Sequence, residues 1–175
     1  MEARGIDYFS INRGGDVTFH GPGQIVGYPI LDLECFYRDV HRYVRDIEEV
    51  IIRTLADCKI VSGRINGYTG VWLPPDPTKG TDDFWNKHRK ICAIGVHISR
   101  WVTLHGWAFN INTPLEYFDH MIPCGIDEAD KTVTSLSKEL DNLVDMESIR
   151  QLIVHHFSDV FDCKIHVQEK TTSQR

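Results

Sequence analysis

The chain has 175 residues, a hydrophobic share of 42%, a charged share of 25% and a formal net charge of -6. This length and composition indicate one globular domain with a packed core and exclude a disordered chain. The negative charge argues against nucleic-acid binding, which needs concentrated Lys and Arg. No apolar run approaches the ~20 residues of a membrane helix, and the first residues lack the pattern of a signal peptide.

The five cysteines are scattered along the chain, odd in number and without a Cys-x-x-Cys pair. A disulfide framework is therefore not expected, and the predicted location is the reducing cytoplasm. Four possible metal ligands lie near the C-terminus: His155, His156, Cys163 and His166. Their spacing matches no common zinc pattern, so no metal site is predicted.

The first third of the chain is predicted to begin with short β-segments. Ile6–Ile11 alternates weakly between apolar and polar residues, and Val17–Phe19 is β-prone. The glycines and proline of Gly21–Gly23 predict a turn. Ile25–Leu33 is typical of a largely buried strand, with Pro29 at an edge or a bulge.

Two amphipathic helices are predicted, one in each half of the chain. Tyr37–Leu55 is the clearer of them, because its apolar residues recur at spacings of three and four. Asp145–Phe161 has the same periodicity. Between them, Gly70–Leu73 is predicted to be a strand, and the polar, Pro-containing segment 74–89 is predicted to be a surface loop insertion.

The middle of the chain predicts a β-hairpin followed by irregular structure. Lys90–Ile98 and Trp101–Ile111 are β-prone runs, and the two residues that join them have the favoured hairpin loop length. Leu115–His120 is predicted to form a short helix, and Ile122–Gly125 a tight turn.

Cys163–Val167 is the last predicted strand. Short strands combined with two separate helices indicate an α+β fold, in which helices pack against a mixed, mainly antiparallel sheet. No composition shift divides the chain, so residues 1–175 are predicted to form a single domain.

The segment 13–24 is the first candidate for ligand binding. Its four glycines and one proline would let the backbone approach a ligand closely and expose amide N–H groups. It is not a Walker-type phosphate loop, because no Gly-Lys-Ser/Thr follows. The alternative is an ordinary glycine-rich turn that carries Arg13 and His20 on the surface.

Cys124 and Lys90 are the candidates for chemistry. Cys124 lies between a proline and a glycine on a predicted turn, where the exposure that a nucleophilic thiolate needs is favoured. Lys90 opens an apolar run and could point its ammonium into a pocket, where it would lower a cysteine pKa from ~8.5 into the range of roughly 3.5–7.5. The alternatives are a cysteine that packs as a small hydrophobe and a solvated lysine at a strand end.

Four segments together resemble the lipoyl(octanoyl) transferases. They occur in the order and at the spacing of that family, and the similarity runs over nearly the whole chain. The matching stretches are RGGDVTFHGPGQIVGYPILDL (13–33), KICAIG (90–95), SRWVTLHGWAFN (99–110) and PCGI (123–126).

The resemblance implies a fold related to the biotin and lipoate protein ligases. It also implies that octanoyl passes from octanoyl-acyl carrier protein to a lysine of a lipoyl domain, in 2-oxoacid dehydrogenase complexes or the glycine cleavage H protein. Cys124 would carry the octanoyl as a thioester, and Lys90 would lower the Cys124 pKa and transfer protons. No metal, ATP or other cofactor is implied.

The resemblance further implies an acyl-binding wall, and it leaves rival functions open. Family members normally have several tens of residues more before the Arg-Gly-Gly motif, so the domain is expected to be short at its N-terminus. The rivals are an ATP-dependent lipoate or biotin ligase, a truncated non-catalytic homologue that binds lipoyl domains or carrier protein, and a cysteine thioesterase. The wall residues are Arg13, Gly14, Gly15, Asp16, Val17, Thr18, Phe19, His20, Ala93, Ile94, Gly95, Gly106, Trp107 and Ala108.

Overall fold

The computed structural model describes residues 18–120 and 128–168. Within these ranges the chain forms one sheet and a layer of helices. The strands are β1 (Gln24–Gly27), β2 (Gly63–Ile65), β3 (Tyr68–Leu73), β4 (His88–Ser99), β5 (Val102–Asn110) and β6 (Lys131–Val133). The α-helices are α1 (Val40–Asp57), α2 (Leu136–Leu140) and α3 (Met146–Val160).

The sheet is mainly antiparallel. Its strand order is β1-β5-β4-β3-β2, and all neighbours along this path are antiparallel. β6 pairs in parallel with the first residues of β4, from His88↔Lys131 to Lys90↔Val133. The predicted α+β class, with helices against a mixed and mainly antiparallel sheet, is confirmed.

The β4–β5 hairpin is the longest pairing in the sheet. It runs from Cys92↔Phe109 to Ser99↔Val102, and Arg100 and Trp101 form the turn. Both turn residues have positive φ, 49° and 63°, which is the backbone of a type I′ turn that matches the strand twist. The predicted hairpin is confirmed, with its turn one residue further along the chain.

Both predicted amphipathic helices are present, and they pack against each other on one face of the sheet. The carboxylate of Asp39 accepts a hydrogen bond from the Arg42 N–H at the start of α1, and that of Asp145 accepts from the Ser148 N–H in the first turn of α3. Among the helices in the described ranges, none has the length and apolar character needed to cross a lipid bilayer.

Several predicted boundaries differ from the structure. The strand predicted over Ile25–Leu33 ends at Gly27, because Pro29 has no N–H to continue the ladder. The side chain of Thr103 replaces that ladder, since its Oγ1 donates to the Pro29 carbonyl at 2.7 Å and accepts from the Leu31 N–H at 2.8 Å.

The strand predicted over Cys163–Val167 is wrong, since residues 163–168 have no regular structure. The segment 74–89 contains two short 3-10 helices, Pro77–Lys79 and Asp83–Asn86, and β4 begins within its last two residues. β2, β6 and α2 were not predicted. Ile6–Ile11, Val17 and the predicted turn at Ile122–Gly125 lie outside the described residues.

Candidate functional site

The two faces of the sheet differ in the size of their side chains. Successive strand residues point to opposite faces, and directly paired residues share a face. On one face, Phe109 and its neighbours pack under α1 and α3 in the hydrophobic core. On the other, Ala93 pairs with Ala108 and Gly95 with Gly106. We call these four residues the Ala/Gly face.

A β-bulge places Lys90 on the Ala/Gly side. Val71 pairs with Cys92 but the next residue, Trp72, pairs with Lys90, so β4 holds one extra residue at Ile91. Ile91 and Cys92 both belong to the core. Strict alternation would have put Lys90 beside Cys92 under the helices. The bulge instead puts it beside Trp72, on the side of the small residues.

Lys90 is 7% exposed, and both its side chain and its backbone have partners. Its ammonium nitrogen lies 4.6 Å from the centre of the Trp72 ring, within the range of a cation–π contact. Its carbonyl accepts a hydrogen bond of 2.9 Å from the Thr134 N–H, just after β6. The alternative of a solvated strand-end lysine does not hold.

Gly70 allows β3 to approach this part of β4. Its φ of +115° is one that side chains rarely adopt, and a Cβ there would meet the Cys92 carbonyl oxygen at 2.5 Å and Cε of Lys90 at 3.6 Å. Its N–H donates to Oε1 of the buried Glu48 at 3.0 Å. The close approach of β3 to the Cys92 carbonyl therefore depends on glycine at this position.

Gly70→Ala is expected to lower the free energy of unfolding by roughly 1–3 kcal/mol, because alanine is strained at this φ and its Cβ collides with the backbone. Gly63→Ala in β2 is the matched control, since a Cβ there meets nothing within 4 Å, and its stability should stay within about 1 kcal/mol of the parent. Urea unfolding followed by circular dichroism measures both. Equal stabilities for the two variants would contradict the expectation.

A buried amide network joins the strands around Lys90. Nε2 of Gln24 donates to Oδ1 of Asn110 at 2.9 Å, and Nδ2 of Asn110 donates to the Thr134 carbonyl at 3.0 Å. The Thr134 N–H in turn donates to Lys90. The glycine-rich segment is thus tied through Gln24 to the strand that carries the lysine.

The described part of the first binding segment lies in an aromatic cluster. Phe19 is buried and stacks on Tyr117 at 4.9 Å between ring centres, with the edge of Phe118 at 5.4 Å. Thr18 is partly buried, and His20 is exposed near Tyr28. Arg13, Gly14, Gly15, Asp16, Val17 and Cys124 lie outside the described residues.

Two of the expected wall residues lie on the other face. Ile94 pairs with Trp107, and both contact the core under the helices. The Trp107 ring lies 6.3 Å from that of Phe157 in α3. The structure therefore places Ala93, Gly95, Gly106 and Ala108 on the same side of the sheet as Lys90, and it places Ile94 and Trp107 on the other side.

The four described cysteines carry free thiols, of which three are at least partly buried and one is exposed. Burial raises the pKa of the Cys92 thiol far above its usual range, and the nearby Lys90 offsets only part of that effect. Burial also raises the pKa of Cys58 and of Cys163. Cys35 is exposed and is the last residue of a short 3-10 helix, Leu33–Cys35.

A buried ion cluster beside the site was missed by sequence reasoning. Glu139 of α2 accepts hydrogen bonds from Nε of Arg89 at 2.9 Å and from Oγ1 of Thr134 at 2.7 Å. Nζ of Lys79 lies 3.2 Å from its second oxygen. Arg89 precedes Lys90 and is 2% exposed. An arginine directly before an apolar strand was the only sequence signal for this cluster.

The structure groups a different set of possible metal ligands near the C-terminus from the one named from the sequence. It includes Asp159 in place of Cys163 and His166. Donor atoms of His155, His156 and Asp159 lie within 4.8 Å of one another. The carboxylate of Asp57 lies 2.8 Å from Nε2 of His156. This group lies on α3, which covers the core face, so it is separate from the surroundings of Lys90.

Comparison with known proteins gives consistent sequence matches. The family model described as "Lipoyl protein ligase A/B catalytic domain" matches residues 1–158. A protein named octanoyltransferase from Cytophaga hutchinsonii is 51% identical over 165 residues, which is 94% of this chain and 63% of that protein. An octanoyltransferase from Flavobacterium psychrophilum is 53% identical over 94% of this chain and 67% of its own length. The resemblance to octanoyl transferases is confirmed, and the chain spans about two thirds of these relatives.

Solved structures share the fold at low sequence identity. A lipoate-protein ligase A bound with ATP matches with a TM-score of 0.65 and 15% identity, over 98% of this chain and 66% of its own. The biotin protein ligase from Aquifex aeolicus matches with a TM-score of 0.57 and 13% identity, over 80% of this chain and 53% of its own. The predicted relation to the biotin and lipoate ligase fold is confirmed.

Proposed function

Because the chain belongs to the lipoyl protein ligase A/B catalytic domain family, we propose that it carries out octanoyl transfer. Octanoyl-acyl carrier protein is the donor, and the acceptor is a lysine of a lipoyl domain, in the first step of protein lipoylation. The observation that carries this proposal is the buried ammonium of Lys90 beside the Ala/Gly face. The octanoyltransferase names of relatives at 51% and 53% identity support it.

The Ala/Gly face is suited to an unbranched acyl chain. Ala93 and Gly95 of β4 are partly exposed and have at most a methyl side chain, so a ligand can lie close to this strand there. Gly106 and Ala108 of β5 are buried, and a Cβ on Gly106 would meet the Gly27 carbonyl oxygen at 2.2 Å. Burial of an octanoyl chain would contribute ~0.8 kcal/mol per methylene, several kcal/mol in all. The segment from Arg13 to His20, which includes Phe19, is proposed to close the wall of this site.

The first half-reaction forms an acyl-enzyme on Cys124. The Cys124 thiolate attacks the donor thioester carbon, a new C–S bond forms, and the bond to the carrier sulfur breaks. The Lys90 ammonium favours the thiolate beforehand and gives its proton to the leaving carrier thiol. One thioester replaces another of nearly equal free energy, so the step needs no ATP.

The second half-reaction makes the product amide. A neutral acceptor lysine attacks the octanoyl-thioester, the C–N bond forms, and Cys124 leaves as a thiolate. Lys90, now a neutral amine, takes the proton that the acceptor loses. Splitting the transfer in two lets two protein partners use one site in turn. Since a free thiolate is needed, we propose that the protein acts in the reducing cytoplasm.

One alternative is an ATP-dependent ligase reaction. The observation that favours it is the shared fold with a lipoate-protein ligase A bound with ATP, which at 15% identity is a likeness of fold alone. A ligase would activate a free acid as an adenylate and would not need Cys124. The second alternative is a homologue that binds a lipoyl domain or carrier protein without turnover.

Intact-mass analysis after incubation with octanoyl-acyl carrier protein tests the proposal. We expect the parent to gain the mass of one octanoyl group, which hydroxylamine removes because it cleaves thioesters. Cys124→Ser should gain none, or an adduct that resists hydroxylamine. Cys35→Ser is the matched control, because Cys35 is an exposed free thiol, and it should be acylated like the parent.

Two outcomes would contradict the proposal. Transfer of free octanoate to a lipoyl domain only in the presence of ATP would support the ligase alternative. A folded parent that binds a lipoyl domain but gains no octanoyl and transfers none would support the non-catalytic alternative.

A further inference from the structure

We propose that Trp72 is a positioning residue for Lys90: its indole face holds the lysine ammonium at one place beside the Ala/Gly face. The proposal rests on the role given above to Lys90 and extends it to a residue outside the four family-like segments. Trp72 is assigned no contact with the reacting atoms, so its effect is exerted through the lysine.

The pairing of β3 with β4 brings the two side chains together. Trp72 and Lys90 are direct cross-strand partners after the bulge, and Nζ of Lys90 lies 4.6 Å from the ring centre. Tryptophan is the strongest partner for a cation, and the attraction grows when both groups are removed from water. Here the indole is 1% and the lysine 7% exposed.

The indole also contacts a second aromatic ring, that of Tyr68. The Tyr68 ring meets it edge-on at 5.9 Å between ring centres. The Tyr68 hydroxyl donates to the Glu128 carboxylate, and Nζ of Lys131 lies 4.5 Å from the Tyr68 ring centre. Lys131 belongs to β6, which pairs with β4 at Lys90. Tyr68, which contacts the indole, is therefore itself held by Glu128 and by Lys131 of β6.

Fixing the ammonium has a chemical consequence. A lysine side chain has four rotatable bonds, so its ammonium can occupy many positions. The electrostatic effect of the ammonium on a thiol depends on the distance between the two groups. An indole that holds the ammonium in one place keeps this charge fixed while the Cys124 thiol becomes a thiolate. A leucine at position 72 would fill part of the space without attracting the cation, so the ammonium would lose the attraction of the indole.

The test measures the thiolate character of Cys124 rather than turnover. The rate at which iodoacetamide alkylates Cys124 at pH 7 is followed by peptide mass, because only the thiolate reacts. We expect Trp72→Leu to slow alkylation by about tenfold and Trp72→Phe, which keeps an aromatic face, by about twofold. Lys90→Ala should be slowed at least as much as Trp72→Leu.

A double variant separates positioning from general loosening of the strand. If Trp72 acts through Lys90, adding Trp72→Leu to Lys90→Ala produces no further slowing. Val71→Ala is the control, since Val71 is the buried neighbour of Trp72 on the core face, and it should alkylate like the parent. Cys35, which is exposed, provides the reference rate.

The outcomes separate this inference from the proposed function. If Lys90→Ala slows the alkylation of Cys124 while Trp72→Leu leaves it at the parent rate, the role of Trp72 is overturned and the role of Lys90 stands. Equal additional slowing by Trp72→Leu in both backgrounds would also overturn it, since the effect would then not pass through Lys90. A parent in which Cys124 is no more reactive than Cys35, or a Lys90→Ala variant at the parent rate, would overturn the role proposed for Lys90 itself.

Discussion

Lys90→Ala is expected to lower the rate of octanoyl transfer by a factor of about 10²–10⁴, the usual contribution of a positioned proton-transfer group. The loss has two sources, because the ammonium favours the Cys124 thiolate and the neutral amine later accepts a proton. The measurement is the rate at which octanoyl reaches a lipoyl domain from octanoyl-acyl carrier protein. Thermal unfolding of the same samples checks that the fold is retained.

Lys90→Arg separates the two roles, because a guanidinium keeps the charge but does not lose its proton near neutral pH. It should still form the octanoyl-enzyme, more slowly because the leaving carrier thiolate must take its proton from water, and it should fail to pass octanoyl to the acceptor. Lys87→Ala is the control, since Lys87 makes a partly exposed ion pair with Asp83, and transfer should stay within about twofold of the parent. Full transfer by Lys90→Arg would contradict proton transfer by this residue.

Glu139→Ala is expected to lower the free energy of unfolding by about 3–5 kcal/mol, because it leaves the Arg89 guanidinium buried without its carboxylate. Arg89 and Glu139 are 2% and 0% exposed at their side chains and form two nitrogen–oxygen contacts. Lys79 and Thr134 lose the same acceptor. Denaturant unfolding monitored by tryptophan fluorescence measures the change.

Glu147→Ala is the matched control for this loss. Glu147 also pairs with an arginine, Arg150 at 3.0 Å, but both side chains are more than half exposed. Its removal should cost less than about 1 kcal/mol. A loss of the same small size from Glu139→Ala would show that the buried cluster does not stabilise the fold.

Periodic elements were predictable from sequence, and elements defined by their neighbours were not. α1 was readable because Tyr43, Ile47, Val50 and Leu55 recur on one helical face, and all are buried. β6 has three residues and a parallel partner far along the chain, so no local pattern marks it. Residues 163–167 are β-prone but have no regular structure, since propensity alone provides no partner strand.

The surroundings of Lys90 show the same limit at the level of one residue. The sequence indicated a lysine at the start of an apolar strand. Alternation alone would have placed it on the side of Cys92, under the helices. Its position beside Trp72 comes from the single extra residue at Ile91, and a bulge depends on how two strands pair. The buried ion pair of Arg89 with Glu139, fifty residues away, also could not be predicted from a local sequence pattern.

The pairing of β1 with β5 has a consequence for synthesis on the ribosome. Gln24 and its partner Asn110 are separated by 86 positions, whereas β4 and β5 are joined by a two-residue turn. At a translation rate of about 5–20 residues per second, β1 waits roughly 4–17 s before its partner strand is made. During that interval Ile25 and Leu33, which are buried in the folded chain, have no sheet to pack against. We therefore expect the nascent chain to expose an apolar segment of the kind that chaperones bind.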